Sequence, residues 1–176
     1  MSGTPSYLVP LDPLTLDLIQ IEEPHAHIHE GVYFTCPDFA TNIQIVSPKY
    51  WRIAAPNTSR RIHFIATISA SAGCRIEFFE APNINAAGTA LSIFNNDRNS
   101  PNVATALAFK DTTVNSDGAL IDVSKLGGNT VQTKIGGNSR TNIEFILKQN
   151  TSYTIKVTAD ADGLTAALEM QWYEEE

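Results

Sequence analysis

Three stretches near the end of the chain alternate hydrophobic and polar residues one by one, and short polar turns separate them. The stretches are residues 143–148, 153–158 and 164–173. A period of two places alternate side chains on opposite faces of a β-strand, so one face can be buried while the other meets water. The pattern predicts an antiparallel meander of three strands that forms one wall of a core.

Shorter stretches elsewhere have the same character. Residues 61–69 and 74–80 are joined by a small loop, Ser71-Ala72-Gly73, and this spacing predicts a β-hairpin. Further short strands are predicted at residues 26–35, 42–46, 51–54, 103–110 and 119–123. No stretch has a clear amphipathic helical period. Many short strands between Gly, Pro and Asn residues predict an all-β, single-domain antiparallel β-sandwich, specifically a jelly roll.

The beginning of the chain differs in composition. Its prolines Pro5, Pro10 and Pro13 favour an extended arm, because proline removes a backbone donor and restricts the residue before it. Leu14, Leu16 and Leu18 then share one face of a stretch that would form an edge strand or bind a partner. We therefore expect an extended arm over residues 1–20 and a β-sandwich domain over residues 21–176.

Composition narrows the class of protein. A chain of 176 residues is long enough for one domain with a substantial core. Its net charge of −7 argues against a nucleic-acid partner, since Lys and Arg supply most of that affinity. No apolar run or leader pattern predicts a membrane partner or secretion. Cys36 and Cys74 lack metal-ligand spacing and are predicted to be reduced, small apolar core residues.

A histidine cluster at residues 22–31 is the one unusual motif. On a strand, His25, His27 and His29 would share a face, where they could bind a transition metal. The jelly-roll prediction makes the metal-binding cupins the natural comparison. The spacing between His27 and Glu30 is shorter than in that motif, and His63 lacks its downstream pattern. A polar strand face or a subunit contact is therefore the preferred interpretation, with no cofactor and no metal.

Other candidate sites are weaker. No GxSxG, GxxxxGK[ST], GxGxxG or HExxH motif is present, and we expect no catalytic residues. The asparagine-rich loop at residues 95–102, with Arg98, could hydrogen-bond a sugar, although such loops more often satisfy their own backbone. Trp51, Trp172 and Tyr173 are predicted to pack in a core or an interface. The three closing glutamates are predicted to be a solvated end.

Several segments resemble a family of small virion structural proteins of tailed bacteriophages. They keep their order over residues 21–173, and together they are more specific than any one alone. The segments are His27-Ile28-His29-Glu30-Gly31 with Tyr33-Phe34-Thr35, Ala55-Pro56-Asn57-Thr58-Ser59-Arg60-Arg61-Ile62-His63-Phe64, Phe94-Asn95-Asn96-Asp97-Arg98-Asn99-Ser100, Gly136-Gly137-Asn138-Ser139-Arg140 and residues 142–153.

The resemblance implies a non-enzymatic decoration (cement) protein on the capsid exterior, made in the host cytoplasm. Its partner would be the major capsid protein or another virion protein, and a homodimer or homotrimer is expected. The arm leucines, Arg98 and the three neighbouring histidines are candidate interface residues. In an oligomer, those histidines would lie near the axis, and their protonation would weaken the contact. Alternatives are a tail, collar or fibre adaptor, a carbohydrate-binding module, and a cupin-like metal enzyme.

Overall fold

The computed structural model describes residues 23–127, 137–140 and 144–175, whose regular secondary structure is almost entirely β-strand. The predicted arm, with Leu14, Leu16 and Leu18, lies outside these residues. The elements, in chain order, are α1 Glu23–His29, β1 Tyr33–Ile43, β2 Lys49–Ala54, β3 Arg61–Ala70, β4 Cys74–Glu80, β5 Asn83–Ala86, β6 Thr89–Ala90, β7 Phe94–Asn95, β8 Leu107–Lys110, β9 Thr113–Ser116, β10 Ala119–Leu126, β11 Gly137–Arg140, β12 Phe145–Leu147, β13 Ser152–Ala159 and β14 Leu164–Glu175.

The described strands form two large antiparallel sheets and one small ribbon. Sheet I has the order β11-β3-β14-β1-β7, and β12 also pairs with β3. Sheet II has the order β10-β4-β13-β2-β8-β6, and β5 pairs with β9 in the ribbon. The predicted all-β antiparallel sandwich is confirmed. The strand order is compatible with a jelly roll, which stays a prediction.

The apolar faces of the two sheets pack against each other to form one core. Phe64 of β3 lies against Phe78 of β4, with ring centroids 5.6 Å apart. Trp51 of sheet II and Trp172 of sheet I are fully buried, as expected for core residues. The indole N–H of Trp51 donates to Asp38 of the opposite sheet at 2.7 Å, so this buried donor is satisfied.

The predicted meander is wrong, although the alternation behind it is real. β12 and β14 belong to sheet I, whereas β13 lies in sheet II between β2 and β4. The three strands therefore alternate between the sheets and do not pair with one another. A period of two shows which side chains face the core, but it is the same whether the next strand joins the same sheet or the opposite one.

The predicted hairpin of β3 and β4 is wrong for the same reason. The loop between them crosses from sheet I to sheet II, and its backbone bonds to both. The amide of Ser71 donates to Thr165 at 2.9 Å, and the amide of Asp160 donates to the carbonyl of Gly73 at 2.9 Å. The loop therefore closes the edge of the sandwich.

Both cysteines are buried free thiols in the core, as the sequence predicts. Burial raises the pKa of Cys36 from 9.0 to about 12, and Asp38 adds to that shift. Burial likewise raises the pKa of Cys74 from 9.0 to about 11, with a smaller contribution from Asp160. The folded protein therefore keeps both thiols neutral at pH values where an unfolded chain ionises them.

We expect the free energy of unfolding to fall as the pH rises above 9. The folded pKa values are raised, so the folded state holds more protons in this range, and the stabilisation present below the unfolded pKa is lost. Each thiol contributes a slope of about 1.4 kcal/mol per pH unit. Urea denaturation at pH 8, 9 and 10.5 measures it. A Cys36→Ala/Cys74→Ala variant should have a shallower slope, and equal slopes would contradict the assignment.

Two glycines with the same backbone conformation differ in their surroundings. Gly88, between β5 and β6, and Gly163, between β13 and β14, both have φ of +86°. A Cβ on Gly88 would overlap the carbonyl oxygen of Lys110, whereas a Cβ on Gly163 would meet nothing within 4 Å. At Gly163, glycine is required only because the backbone is left-handed. At Gly88, it is required also because the neighbouring backbone leaves no room for a Cβ.

These glycines form a matched pair of substitutions. We expect Gly163→Ala to cost about 1 kcal/mol of stability, the usual penalty for a left-handed residue with a Cβ. Gly88→Ala should cost about 3 kcal/mol, because the backbone around Lys110 must also move. Urea denaturation of both variants tests this difference. Equal losses would mean that the strand pair β6-β8 adjusts freely.

Candidate functional site

The histidine cluster lies on a short helix and not on a strand, so the predicted strand at residues 26–35 is wrong before Tyr33. Pro24 lies in the first turn of α1, where its missing N–H costs nothing. At the other end, the amide of Gly31 donates to Ile28 and the amide of Val32 donates to His27, both at 3.0 Å. With φ of +69° at Gly31, these two bonds form a Schellman cap.

The helix divides the three histidines between two faces. His25 and His29 are one turn apart and exposed. Their Nε2 atoms lie 3.0 Å from each other. His27 points the other way and is 8% exposed. The expectation that all three share one face is therefore wrong. His27 packs against its own chain and is not available to a partner.

His27 belongs to a stack of three rings on the outer side of sheet I. The ring of Tyr173 lies between those of His27 and His63, at centroid distances of 4.1 and 4.4 Å. The interplanar angles are 15° and 17°, so the rings are nearly parallel. We call this group the histidine–tyrosine stack. It connects α1 to the strands β3 and β14.

Three carboxylates surround the histidine–tyrosine stack. Glu30 lies 3.2 Å from Nδ1 of His27, and Glu144 lies 2.5 Å from Nδ1 of His63. Glu144 also accepts a hydrogen bond from the hydroxyl of Tyr173 at 3.0 Å. The carboxylate oxygens of Glu175 lie 3.3 and 3.4 Å from the Nε2 atoms of His27 and His63, but the angles do not suit hydrogen bonds. Each histidine therefore has an acidic neighbour, and the stack holds the helix on the sheet.

Glu174 lies on the opposite face of β14, at the end of the core. Its side chain is fully buried and accepts hydrogen bonds from the amide of Thr105 at 2.8 Å, the hydroxyl of Thr105 at 2.6 Å and the amide of Ala106 at 3.1 Å. The indole of Trp172 donates to it at 3.1 Å, and Arg60 lies 3.9 Å away. The predicted solvated end is thus wrong at Glu174, which fixes the loop before β8.

The asparagine-rich loop is held by its own hydrogen bonds. The side-chain amide of Asn95 donates to the carbonyls of Gly31 at 2.8 Å and Asn102 at 3.2 Å. The side-chain amide of Asn102 donates to the same Gly31 carbonyl at 3.1 Å. Arg98 is exposed and lies over the ring of Phe94 at 5.3 Å. These amides serve the loop and the cap of α1, as expected for a loop that satisfies its own backbone.

One apolar cavity lies between the sheets, next to β10 and β12. It has a volume of about 30 Å³ and is lined mainly by core side chains, including Phe64, Phe78 and Phe145. Asp122 and Ser124 of β10 supply its polar side. A small-molecule site usually needs roughly 300 Å³ or more, so this space fits a water molecule and not a metabolite.

Within residues 23–127, 137–140 and 144–175, no three His, Cys, Asp or Glu side chains are arranged to hold a metal ion. The described helix is too short to cross a membrane. Comparisons with protein-family models, curated proteins and solved structures found no match to this chain.

The sequence pattern does not reveal the partners of the histidines. Tyr173, Glu174 and Glu175 are adjacent in sequence but face different surroundings, and Glu144 belongs to another segment. The helix itself has a signal that the alternation concealed. Pro24 and Gly31 stand at the two ends of a short stretch, where helices often begin and end.

Removing the charge of Glu174 should destabilise the fold. Glu174→Gln places an amide donor among four hydrogen-bond donors, so we expect a loss of about 3 kcal/mol. Urea denaturation compares it with Glu169→Gln, whose exposed carboxylate accepts a hydrogen bond from Thr35 at 3.3 Å. We expect Glu169→Gln to change stability by less than about 0.5 kcal/mol. Similar losses in the two variants would show that the buried carboxylate has no special role.

Proposed function

We propose that this chain is a structural, non-enzymatic protein of a tailed-bacteriophage particle, and that it decorates the outside of the capsid as a cement protein. Two observations support the proposal. One is the ordered series of segments that resemble small virion proteins. The other is structural: the edge strand β10 exposes apolar residues along a sheet edge. The exposed edge of β10 carries the proposal, because it indicates a surface for assembly.

β10 is the longest edge strand in the described part of the molecule. It pairs with β4 on one side, and no described strand pairs with its other side in sheet II. Leu120, Ile121 and Val123 are 50%, 37% and 53% exposed. An unpaired edge with apolar side chains is a template for another chain, which adds its backbone to the sheet.

Features of β10 limit unselective pairing. The register shifts between Leu120 and Asp122, so the edge is irregular at Ile121. Lys125 places a charge farther along the strand, where its Nζ lies 3.3 Å from Asp160. Irregularities and lysines on edge strands are the usual protection against aggregation. The edge is thus suited to one complementary partner, such as a capsid subunit.

A cement protein acts by burial and not by chemistry. Contact with two neighbouring capsid subunits would add an interface of about 800 Å² on each partner, the size typical of stable complexes. A dimer or trimer of the chain would match the local symmetry of the shell and multiply these contacts. The major capsid protein is the proposed partner.

The first test is a cryo-EM map of purified virus particles that encode this chain, at a resolution that shows side chains. Symmetric copies on the outer shell, with β10 against a capsid subunit, are expected. Density at the tail, collar or fibres would replace the proposal with a virion adaptor. Absence from the particle would overturn both.

A binding experiment tests the proposed surface directly. We expect Val123→Asp to weaken binding to particles that lack the protein at least about tenfold, because an unpaired carboxylate would be buried at the contact. Val46→Asp is the control, since Val46 is 91% exposed and lies outside β10. Cosedimentation with the particles measures both variants. Equal binding by both, or no binding by the unaltered protein, would contradict the assignment.

A further inference from the structure

His25 and His29 form a second histidine group, separate from the histidine–tyrosine stack. They are four residues apart on α1, so their side chains lie on the same face of the helix. Their rings meet edge to face, with centroids 4.6 Å apart, and their Nε2 atoms are 3.0 Å apart. Both side chains are exposed, so an ion in solution can reach them.

We propose that His25 and His29 bind one divalent transition-metal ion, with Cu²⁺ preferred, through their Nε2 atoms. Metal–nitrogen bonds of about 2.0 Å place two coordinating nitrogens about 2.8 to 3.3 Å apart, from adjacent square-planar to tetrahedral positions, and the observed 3.0 Å lies within that range. Cu²⁺ is preferred because it stands highest in the order of affinities of divalent ions for nitrogen ligands.

The helix holds the pair in place before any metal arrives. The Schellman cap at Gly31 fixes the last turn, which contains His29. His27, between the two in sequence, anchors the opposite face of the helix through its 4.1 Å stack on Tyr173. Because the backbone is held at the Gly31 cap and at His27, the two imidazoles stay at chelating distance. Binding then requires only rotation of the exposed rings.

The proton arrangement of the pair is consistent with this role. Without a metal, a contact of 3.0 Å between two Nε2 atoms requires one of them to carry the proton and donate it. Metal binding needs both lone pairs, so the donating ring must carry its proton on Nδ1 instead.

The ligand set also limits which ions can bind. Imidazole nitrogen suits Cu²⁺, Ni²⁺ and Zn²⁺, whereas Mg²⁺ and Ca²⁺ prefer oxygen ligands. In the described part of the chain no third His, Cys, Asp or Glu completes the group, so water would occupy the other positions. Such a site binds reversibly and differs in kind from a closed structural metal centre.

The chain offers matched variants for the test, because it has four histidines, and His27 and His63 belong to the stack. Metal-free full-length protein would be titrated with Cu²⁺ at pH 7.5 by calorimetry, and electron paramagnetic resonance would count the nitrogen ligands. We expect one ion with two imidazole nitrogens. His25→Gln and His29→Gln should each weaken binding about 100-fold, because the second ligand acts intramolecularly.

His63→Gln is the control: it removes an imidazole that contacts Tyr173 and not α1, so Cu²⁺ should still bind through two imidazole nitrogens, and circular dichroism verifies that each variant is folded. Mg²⁺ should give no heat. Three results would overturn the proposal: no binding by the unaltered protein, binding that survives in both His25→Gln and His29→Gln, or a spectrum with a single imidazole nitrogen. None of these outcomes depends on whether the protein is part of a virus particle.

Discussion

The sandwich depends on β14, whose two faces have different tasks. Its inward residues, among them Leu168 and Trp172, fill the core, and β1 and β3 pair with its two edges. Its outward residue Tyr173 receives the two histidines of the stack. Because one strand contributes the centre of sheet I, the core contact and the helix anchor, a change in its register would disturb all three.

Polar groups at the end of β14 complete what apolar burial begins. Glu174 fixes the loop before β8, and Glu144 and Glu175 accompany the histidine–tyrosine stack. Buried charge is costly unless it is hydrogen-bonded, and the buried carboxylate of Glu174 has four donors around it. Polar contacts therefore hold the helix and the loop before β8 on a sandwich that apolar packing builds.

Three exposed regions of the described surface differ in their chemistry. β10 is an apolar edge suited to another protein, and the outer face of α1 carries two imidazoles suited to a metal ion. The asparagine-rich loop uses its amides internally, including two bonds to the cap of α1. The loop thus supports the helix, and the two proposed binding surfaces lie on the edge strand and at the exposed histidines.

The sequence by itself determined the fold class and most of the core. Alternation identified the inward faces of β3, β13 and β14, including the buried Trp172. Alternation also misled at residues 25–29, since a spacing of two looks like a strand. The local signals for a helix, Pro24 and Gly31, were weaker than that pattern.

Only the tertiary structure decided which strands pair and which polar residues meet. A strand with one apolar face is equally satisfied by a neighbour in its own sheet or a partner across the core, so local pattern could not separate a hairpin from a crossing between sheets. Likewise, His27, His63 and Tyr173 come from three distant segments, and only the packing of α1, β3 and β14 places their rings together.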